Sequence, residues 1–415
     1  MFQSFNLDNG LRVILAPSST DVVYAGIAVA TGTRHELDSE SGMAHLVEHM
    51  TFKGTERLTS MQILNRMESV GGDLNAYTGK EETIYYATFL RQHLKRAIPL
   101  LLDIVFNSTF PQEELDKEVE VVIDEIESYN DSPAELIYDD FEALLFPDHP
   151  LGRSILGDAE RLRQYRTSDL QAFARRTYSP ERAVLFIKGN VKIDPPPCPS
   201  LVGRGVSTFE NENADACLKH TTPLPTREGQ GGGSFVYKKP VHQTHVMLGA
   251  RAYAATDPRY YGLLLLSNLL GGPAMNSRLS LALRERTGLV YTVESNLTAY
   301  TDTGVWSVYF GCDAEDLKRC LRLVHRELRR LIDRPLSPRA LNAAKQQLLG
   351  QLGISYDHFE NVALAMAKRY LHYHRVLTPA EIAQSIEALT AETLHSIAAD
   401  IFNPDRLTTL IYQPE

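Results

Sequence analysis

The run His45-Leu46-Val47-Glu48-His49 places two imidazoles and a carboxylate within five residues. On a helix, residues four apart share a face, so both histidines can turn a ring nitrogen toward one ion, with Glu48 on the same side. Two imidazoles leave a zinc ion room for a third side chain and a water, the open arrangement that hydrolysis needs. A surface helix with two solvated histidines, or one histidine satisfied in a core, would share the pattern. The metal reading therefore needs a third ligand.

That ligand is sought in the next acidic segment. A helix is predicted from Pro111 to about Tyr129, with Leu115, Val119, Val122 and Ile126 as its buried stripe. Glu118 and Glu125 are seven apart, two turns along one face beside that stripe. A carboxylate at the core boundary is costly unless a cation or hydrogen bonds compensate it. Glu125 as third ligand and Glu118 as a group supporting the ligands would supply that compensation. Glu113, Glu114, Asp116, Glu120, Asp124 and Glu127 are acidic too, so a solvated acidic face is the alternative for Glu118.

The elements that must position these residues fall into two halves. Between about 192 and 234 the periodic patterns stop, in Pro195-Pro196-Pro197-Cys198-Pro199 and then Gly229-Gln230-Gly231-Gly232-Gly233-Ser234. Such composition reads as a linker. It separates residues 1–191 from 235–415. The halves repeat one another: Tyr178-Ser179-Pro180-Glu181-Arg182 precedes a strand from Ala183 to Lys188, and Phe402-Asn403-Pro404-Asp405-Arg406 precedes one from Leu407 to Tyr412. At almost the same distance upstream, helices open at Phe110-Pro111 and Ser337-Pro338. The pattern implies an α+β fold of two homologous domains, each a mostly antiparallel sheet with helices on one face. Thr59-x-x-Gln62 fits a capping box ahead of Met61, Leu64, Met67 and Val70, with Gly71-Gly72 closing that helix. Ser132-Pro133 is a second helix start, and Glu82 to Leu90 reads as a strand.

The 415 residues, 43% hydrophobic and 23% charged, suit a globular protein with more than one core. A net charge of −10 argues against a nucleic-acid partner. No apolar run is long enough to span a membrane. The strand-like stretch Gly10 to Leu15 has no secretory pattern ahead of it. The scattered Cys198, Cys217, Cys312 and Cys320 look like reduced thiols, which favours a cytoplasmic setting. His242 with His245, and His372 with His374, are expected to face solvent.

Taken together, the inverted motif at His45 to His49, the helix bearing Glu118 and Glu125, and the repeated layout resemble the insulinase/pitrilysin family of zinc peptidases, in its short two-domain branch. The resemblance covers the chain outside the linker. Gly71-Gly72-Asp73-Leu74-Asn75-Ala76-Tyr77-Thr78, followed by Glu82-Thr83-x-Tyr85, is similar to the family's substrate-edge segment. There Asn75, Ala76 and Thr78 would bind peptide along an edge strand; an ordinary Gly-closed helix leading into a strand is the alternative. Leu283-Arg284-Glu285-Arg286-Thr287-Gly288-Leu289-Val290-Tyr291 looks like the family's Arg/Tyr motif. By resemblance, Arg284 and Tyr291 help stabilise the scissile carbonyl, with Arg286 as a competing candidate and a basic helix end as the alternative.

In the second half the positions of Glu118 and Glu125 are taken by Ala344 and Gln351, so one zinc per chain is expected. The family closes two such halves like a clamshell, with the metal in one and the Arg/Tyr pair in the other. This chain is one half long and carries both motifs. The resemblance thus implies a homodimer, with Arg284 and Tyr291 completing the partner's site, acting on oligopeptides. Competing readings are a non-catalytic peptide-holding or assembly subunit and a metal-dependent esterase or amidase.

Overall fold

The structure is a computed structural model that describes residues 2–192 and 232–415. In the first of these spans the chain runs through β1 (Gln3–Asn6), β2 (Arg12–Pro17), β3 (Val22–Val29), α1 (Met43–Thr51), α2 (Ser60–Glu68), β4 (Asp73–Thr78) and β5 (Thr83–Leu90). It continues with α3 (Leu94–Phe106), α4 (Gln112–Asn130), α5 (Pro133–Leu145), α6 (Ala159–Leu162), α7 (Thr167–Thr177) and β6 (Ala183–Gly189). The second span holds β7 (Ser234–Lys239), β8 (Thr244–Ala252), α8 (Tyr260–Gly271), β9 (Val290–Ala299) and β10 (Gly304–Cys312). It ends with α9 (Leu317–Asp333), α10 (Pro338–Ser355), α11 (Phe359–Tyr373), α12 (Pro379–Glu387), α13 (Ala391–Ile401) and β11 (Thr408–Pro414).

The sheets are ordered β1-β2-β6-β3-β5-β4 and β7-β11-β8-β10-β9. Setting β1 aside, the two orders superimpose. The parallel pair β2/β6 matches the parallel pair β7/β11, and the other matched pairs are antiparallel. The Pro-x-Arg turns that open β6 and precede β11 are both short 3₁₀ turns. Thus β9 is the counterpart of β4, and each is an edge strand.

The compact units do not follow the expected division at the linker. One contains residues 2–126, 149–192 and 356–376; the other contains 127–148, 232–355 and 377–415. Helix α11 lies against β3, β6 and β2 of the first unit, and α5 lies against β8 and β11 of the second. These helices occupy matching places in the repeat, after α10 and α4 respectively, so the halves exchange equivalent helices. Most of the expected linker, with Cys198 and Cys217, lies outside the described residues.

The exchanged helix adds a layer on the second face of the first sheet. In the first unit, Val13, Leu15, Ala25, Ile27 and Ala87 face α1, α3, α4 and α7. The opposite face, with Ile14, Ala28, Ile84 and Phe186, is sealed by Ala363, Met366, Ala367 and Leu371 of α11. Ion pairs fix α11 in place: Glu82 lies 2.6 Å from Lys368 Nζ and 3.0 Å from His372 Nε2. Arg12 Nη1 donates to the Leu371 carbonyl at 3.0 Å and lies 3.2 Å from His374 Nδ1. His372 is therefore not a solvated histidine, whereas His374 is exposed as expected even though its ring meets Arg12, and His245 Nδ1 sits 2.9 Å from the Tyr309 hydroxyl. His242 is exposed as expected.

Local signals held more evenly. The Thr59 N–H donates to Gln62 Oε1 at 2.9 Å at the start of α2. The buried residues of α2 are Ile63 and Met67, while Met61 and Leu64 are exposed. In α4, Leu115, Val119, Val122 and Ile123 are buried, and Ile126 packs against the same core. Cys312 and Cys320 are free and buried. No described helix is long and apolar enough to cross a membrane.

Candidate metal centre

Helix α1 carries the five-residue motif, and its entry is built by residues well outside that motif. Gly42, at φ 76°, turns the chain into the helix, and Gly157, at φ 81°, passes so close that a Cβ there would lie 2.4 Å from the Gly42 Cα. Only glycine suits both backbone and space. The Glu36 carboxylate caps the helix, accepting the Ala44 N–H at 2.8 Å and the Gly42 N–H at 3.3 Å. Burial pushes the Glu36 carboxyl up to about 8, against these two N–H donors.

His45 and His49 lie one turn apart with ring centroids 4.6 Å from each other. Glu125 reaches in from α4: its Oε2 is 3.8 Å from His45 Nε2 and 3.6 Å from His49 Nε2. Both separations exceed hydrogen-bond range. They suit donors that share a central ion about 2 Å from each. Among the described residues this is the one set of three such groups with ligand atoms within 4.8 Å of one another. His45 Nδ1 is buried with no hydrogen-bond partner. Converging donors that do not satisfy one another fit a bound cation.

Around these ligands the remaining charges are ordered. Glu118 Oε1 lies 2.9 Å from His49 Nδ1 and Glu118 Oε2 lies 2.5 Å from Lys53 Nζ. A carboxylate can only accept, so Nδ1 carries a proton, which leaves Nε2, the nitrogen facing Glu125, as the one that would bind a metal once its own proton is lost. The second carboxylate of α4 thus meets the His49 ring directly. Lys53, four residues after His49, was not singled out there, although its i+4 spacing was a signal. Glu36 left no signal, because it reaches α1 across a turn.

Titration behaviour follows from burial. In the metal-free protein, burial and then the charge of His49 lower His45 to about 3, so its ring is neutral and in ligand form. Burial lowers His49 also, but the Glu118 hydrogen bond and the neighbouring carboxylates outweigh it and hold His49 above its usual value. A metal must displace that proton, so acid competes with binding. Burial raises Glu48, with the Thr78 hydrogen bond and His49 pulling the other way. Burial would raise Glu118, but the hydrogen bonds from His49 and Lys53 hold it below the usual range.

Glu48 is 8% exposed, yet it borders the cluster. Its Oε2 accepts the Thr78 hydroxyl at 2.8 Å, and its carbonyl accepts the Thr51 hydroxyl at 2.6 Å. Thr78 ends β4, whose register pairs Thr78 with Thr83 on β5. Along β4, Leu74 and Ala76 pack toward the core that contains α1, while Tyr77 packs on the opposite face. Asn75 is exposed, and its Nδ2 donates to Asp73 Oδ2 at 2.6 Å.

Arg284 and Tyr291 belong to the other compact unit. Arg284 sits in a π-helical stretch, Ser280–Glu285, with its Nε donating to Glu285 Oε1 at 2.9 Å. Tyr291, near the start of edge strand β9, is 89% exposed. Ala344, at the place Glu118 holds in the first half, is buried.

The sequence family described as insulinase (peptidase family M16) matches residues 12–159, and the one described as peptidase M16 inactive domain matches residues 166–348. A Bacillus subtilis protein, the uncharacterised zinc protease YmxG, is 31% identical over 99% of this chain and 98% of its own length. An uncharacterised zinc protease of Mycobacterium tuberculosis is 31% identical over 96% of this chain and 90% of its own. The crystal structure of a Helicobacter pylori protease matches with a TM-score of 0.86 at 22% identity, covering both chains fully. The shared fold extends to a Pseudomonas fluorescens structure described as a peptidase M16 inactive domain, with a TM-score of 0.83 at 19% identity, covering 100% of this chain and 98% of that one.

Proposed function

From the premise that the chain belongs to the insulinase family of peptidases, peptidase family M16, we propose that it is a zinc-dependent endopeptidase acting on unstructured oligopeptides. His45, His49 and Glu125 would hold one zinc per chain. Bound there, zinc supplies Lewis-acid chemistry, making a coordinated water acidic near neutral pH and polarising a carbonyl.

Everything else is done by the chain's own residues. Glu48 takes a proton from the attacking water and returns it to the leaving amine. Burial holds its carboxyl above the ordinary range, closer to working pH. Glu118 keeps His49 in the tautomer that exposes Nε2. The free edge of β4 offers backbone groups to an extended peptide at Asn75 and Ala76. Arg284 and Tyr291 are proposed to serve a partner chain's site, as donors facing the developing oxyanion. The exposure of Tyr291 supports that role, since it leaves the phenol open to a second copy.

The observation that carries the proposal is the convergence of His45, His49 and Glu125 beside a buried Glu48. A non-catalytic holding role has no chemical use for that set. Glu48→Gln should keep near one zinc per chain and lose peptide hydrolysis by at least about a hundredfold. Near-normal turnover of a quenched fluorescent peptide by that variant would remove Glu48 from its role. Chelator-insensitive cleavage would remove the metal.

A further inference from the structure

Glu48 has two carboxylate oxygens, and the structure treats them differently. Oε2 accepts the Thr78 hydroxyl at 2.8 Å. Oε1 has no hydrogen-bond partner among the described residues.

The direction of the Thr78 bond is fixed by its surroundings. The Thr83 hydroxyl donates its single proton to the Thr31 carbonyl at 2.8 Å. Its contact with the Thr78 hydroxyl is long, 3.4 Å, and Thr83 has no second proton to give. Thr83 is fully buried, and so is Thr31, the second residue after β3, so this arrangement belongs to the sheet's interior. Thr78 is left with one proton and one close acceptor, Glu48 Oε2. As a β-branched residue in a strand, it also has restricted side-chain freedom.

We propose that Thr78 is a positioning residue that reserves Glu48 Oε1 for proton transfer. The inference rests on the reading of Glu48 as general base. When a water O–H bond breaks and its oxygen bonds to the peptide carbonyl carbon, the proton goes to Oε1, because the Oε2 lone pair facing Thr78 is already engaged. As the C–N bond breaks, the same proton passes from Oε1 to the leaving nitrogen, and Glu48 is again a carboxylate. Without the Thr78 donor, the two oxygens become equivalent acceptors, and a proton taken up on Oε2 faces the sheet and away from the leaving group. This role differs from holding the peptide, the part suggested for Thr78 by its place in the edge segment.

The test compares wild type, Thr78→Val, which keeps the shape and removes the donor, and Thr78→Ser, which restores the donor. Zinc per chain, kcat and KM are read on a quenched fluorescent peptide. Uncleaved peptide binding is read in the Glu48→Gln background, with and without Thr78→Val. The expected result is a fall in kcat of about 10- to 100-fold for Thr78→Val, with KM within about twofold, unchanged zinc content and substantial recovery in Thr78→Ser. Peptide affinity in the Glu48→Gln background should not respond to Thr78→Val.

Wild-type kcat in Thr78→Val overturns the inference. So does a rise in KM and a loss of peptide affinity at unchanged kcat, which would make Thr78 a peptide contact, and so does loss of zinc. If zinc-loaded wild type itself fails to cleave peptides, the endopeptidase reading fails first and the inference falls with it. That outcome is separate from the failure of Thr78 in an active enzyme.

Discussion

Replacing Glu118 should weaken zinc binding before it alters anything else. The carboxylate joins His49 Nδ1 at 2.9 Å to Lys53 Nζ at 2.5 Å, and its side chain is 9% exposed. In Glu118→Ala, His49 loses the acceptor that fixes its tautomer, and Lys53 loses its anionic partner. Removing such an outer partner typically weakens a metal site 10- to 100-fold, or about 1.4 to 2.7 kcal/mol. The upper part of that range applies here, because the bond is charge-assisted and its carboxylate also holds Lys53. Glu118→Gln keeps an acceptor for Nδ1–H but loses the charge, so its defect should be smaller, near tenfold. Competition against a chromophoric zinc chelator measures both variants, and thermal denaturation of the metal-free proteins separates loss of fold from loss of affinity. Wild-type zinc affinity in a folded Glu118→Ala protein would refute the argument. It would mean that packing of α1 alone orients His49.

Two further outcomes are expected. If Arg284 and Tyr291 act across a dimer, mixing Glu48→Gln chains with Tyr291→Phe chains should restore about a quarter of wild-type sites after subunit exchange, since half the dimers are mixed and each has one intact site; no recovery would show that the pair serves its own chain or none. Acid stability is expected to depend on Glu82: burial would raise its carboxyl, but the His372 hydrogen bond and the Lys368 charge hold it down at about 2. A depressed carboxyl stabilises the fold above its unfolded value near 4.5 and loses that contribution as pH falls from there through about 2, roughly 3 kcal/mol in all. Metal-free wild type should therefore lose more melting temperature between pH 5 and pH 2.5 than metal-free Glu82→Gln, and equal slopes would exclude this contribution.

The part of the site written in the sequence is the part that obeys local periodicity. His45, Glu48 and His49 sit on one turn of α1, and Glu118 and Glu125 sit two turns apart on α4, so helical spacing grouped each set within its own helix and the family resemblance joined the two. Lys53 also obeyed that spacing, but a lysine carries no metal-ligand signal and was passed over. Glu36 reaches α1 through a turn whose geometry depends on Gly42 and Gly157, and no periodic pattern reports such a contact. The repeat predicted two similar sheets, and their matching strand orders agree. The exchange of α5 and α11 was invisible, because an apolar helix face does not specify which of two similar sheets it covers. His372 was misread for the same reason: its partner, Glu82, is 290 positions away in the chain.

That exchange bears on how the chain matures as it is made. When residue 192 has left the ribosome, every strand of the first sheet exists, but the face formed by Ile14, Ala28, Ile84 and Phe186 has no cover. Its cover, α11, ends at Tyr373, some 180 residues further on. At ordinary translation speeds of about 5 to 20 residues per second, the apolar face waits roughly ten to forty seconds. During that interval it is a surface for chaperones or for a neighbouring nascent chain. The half that carries the candidate metal ligands is thus completed only by a helix made some 180 residues later.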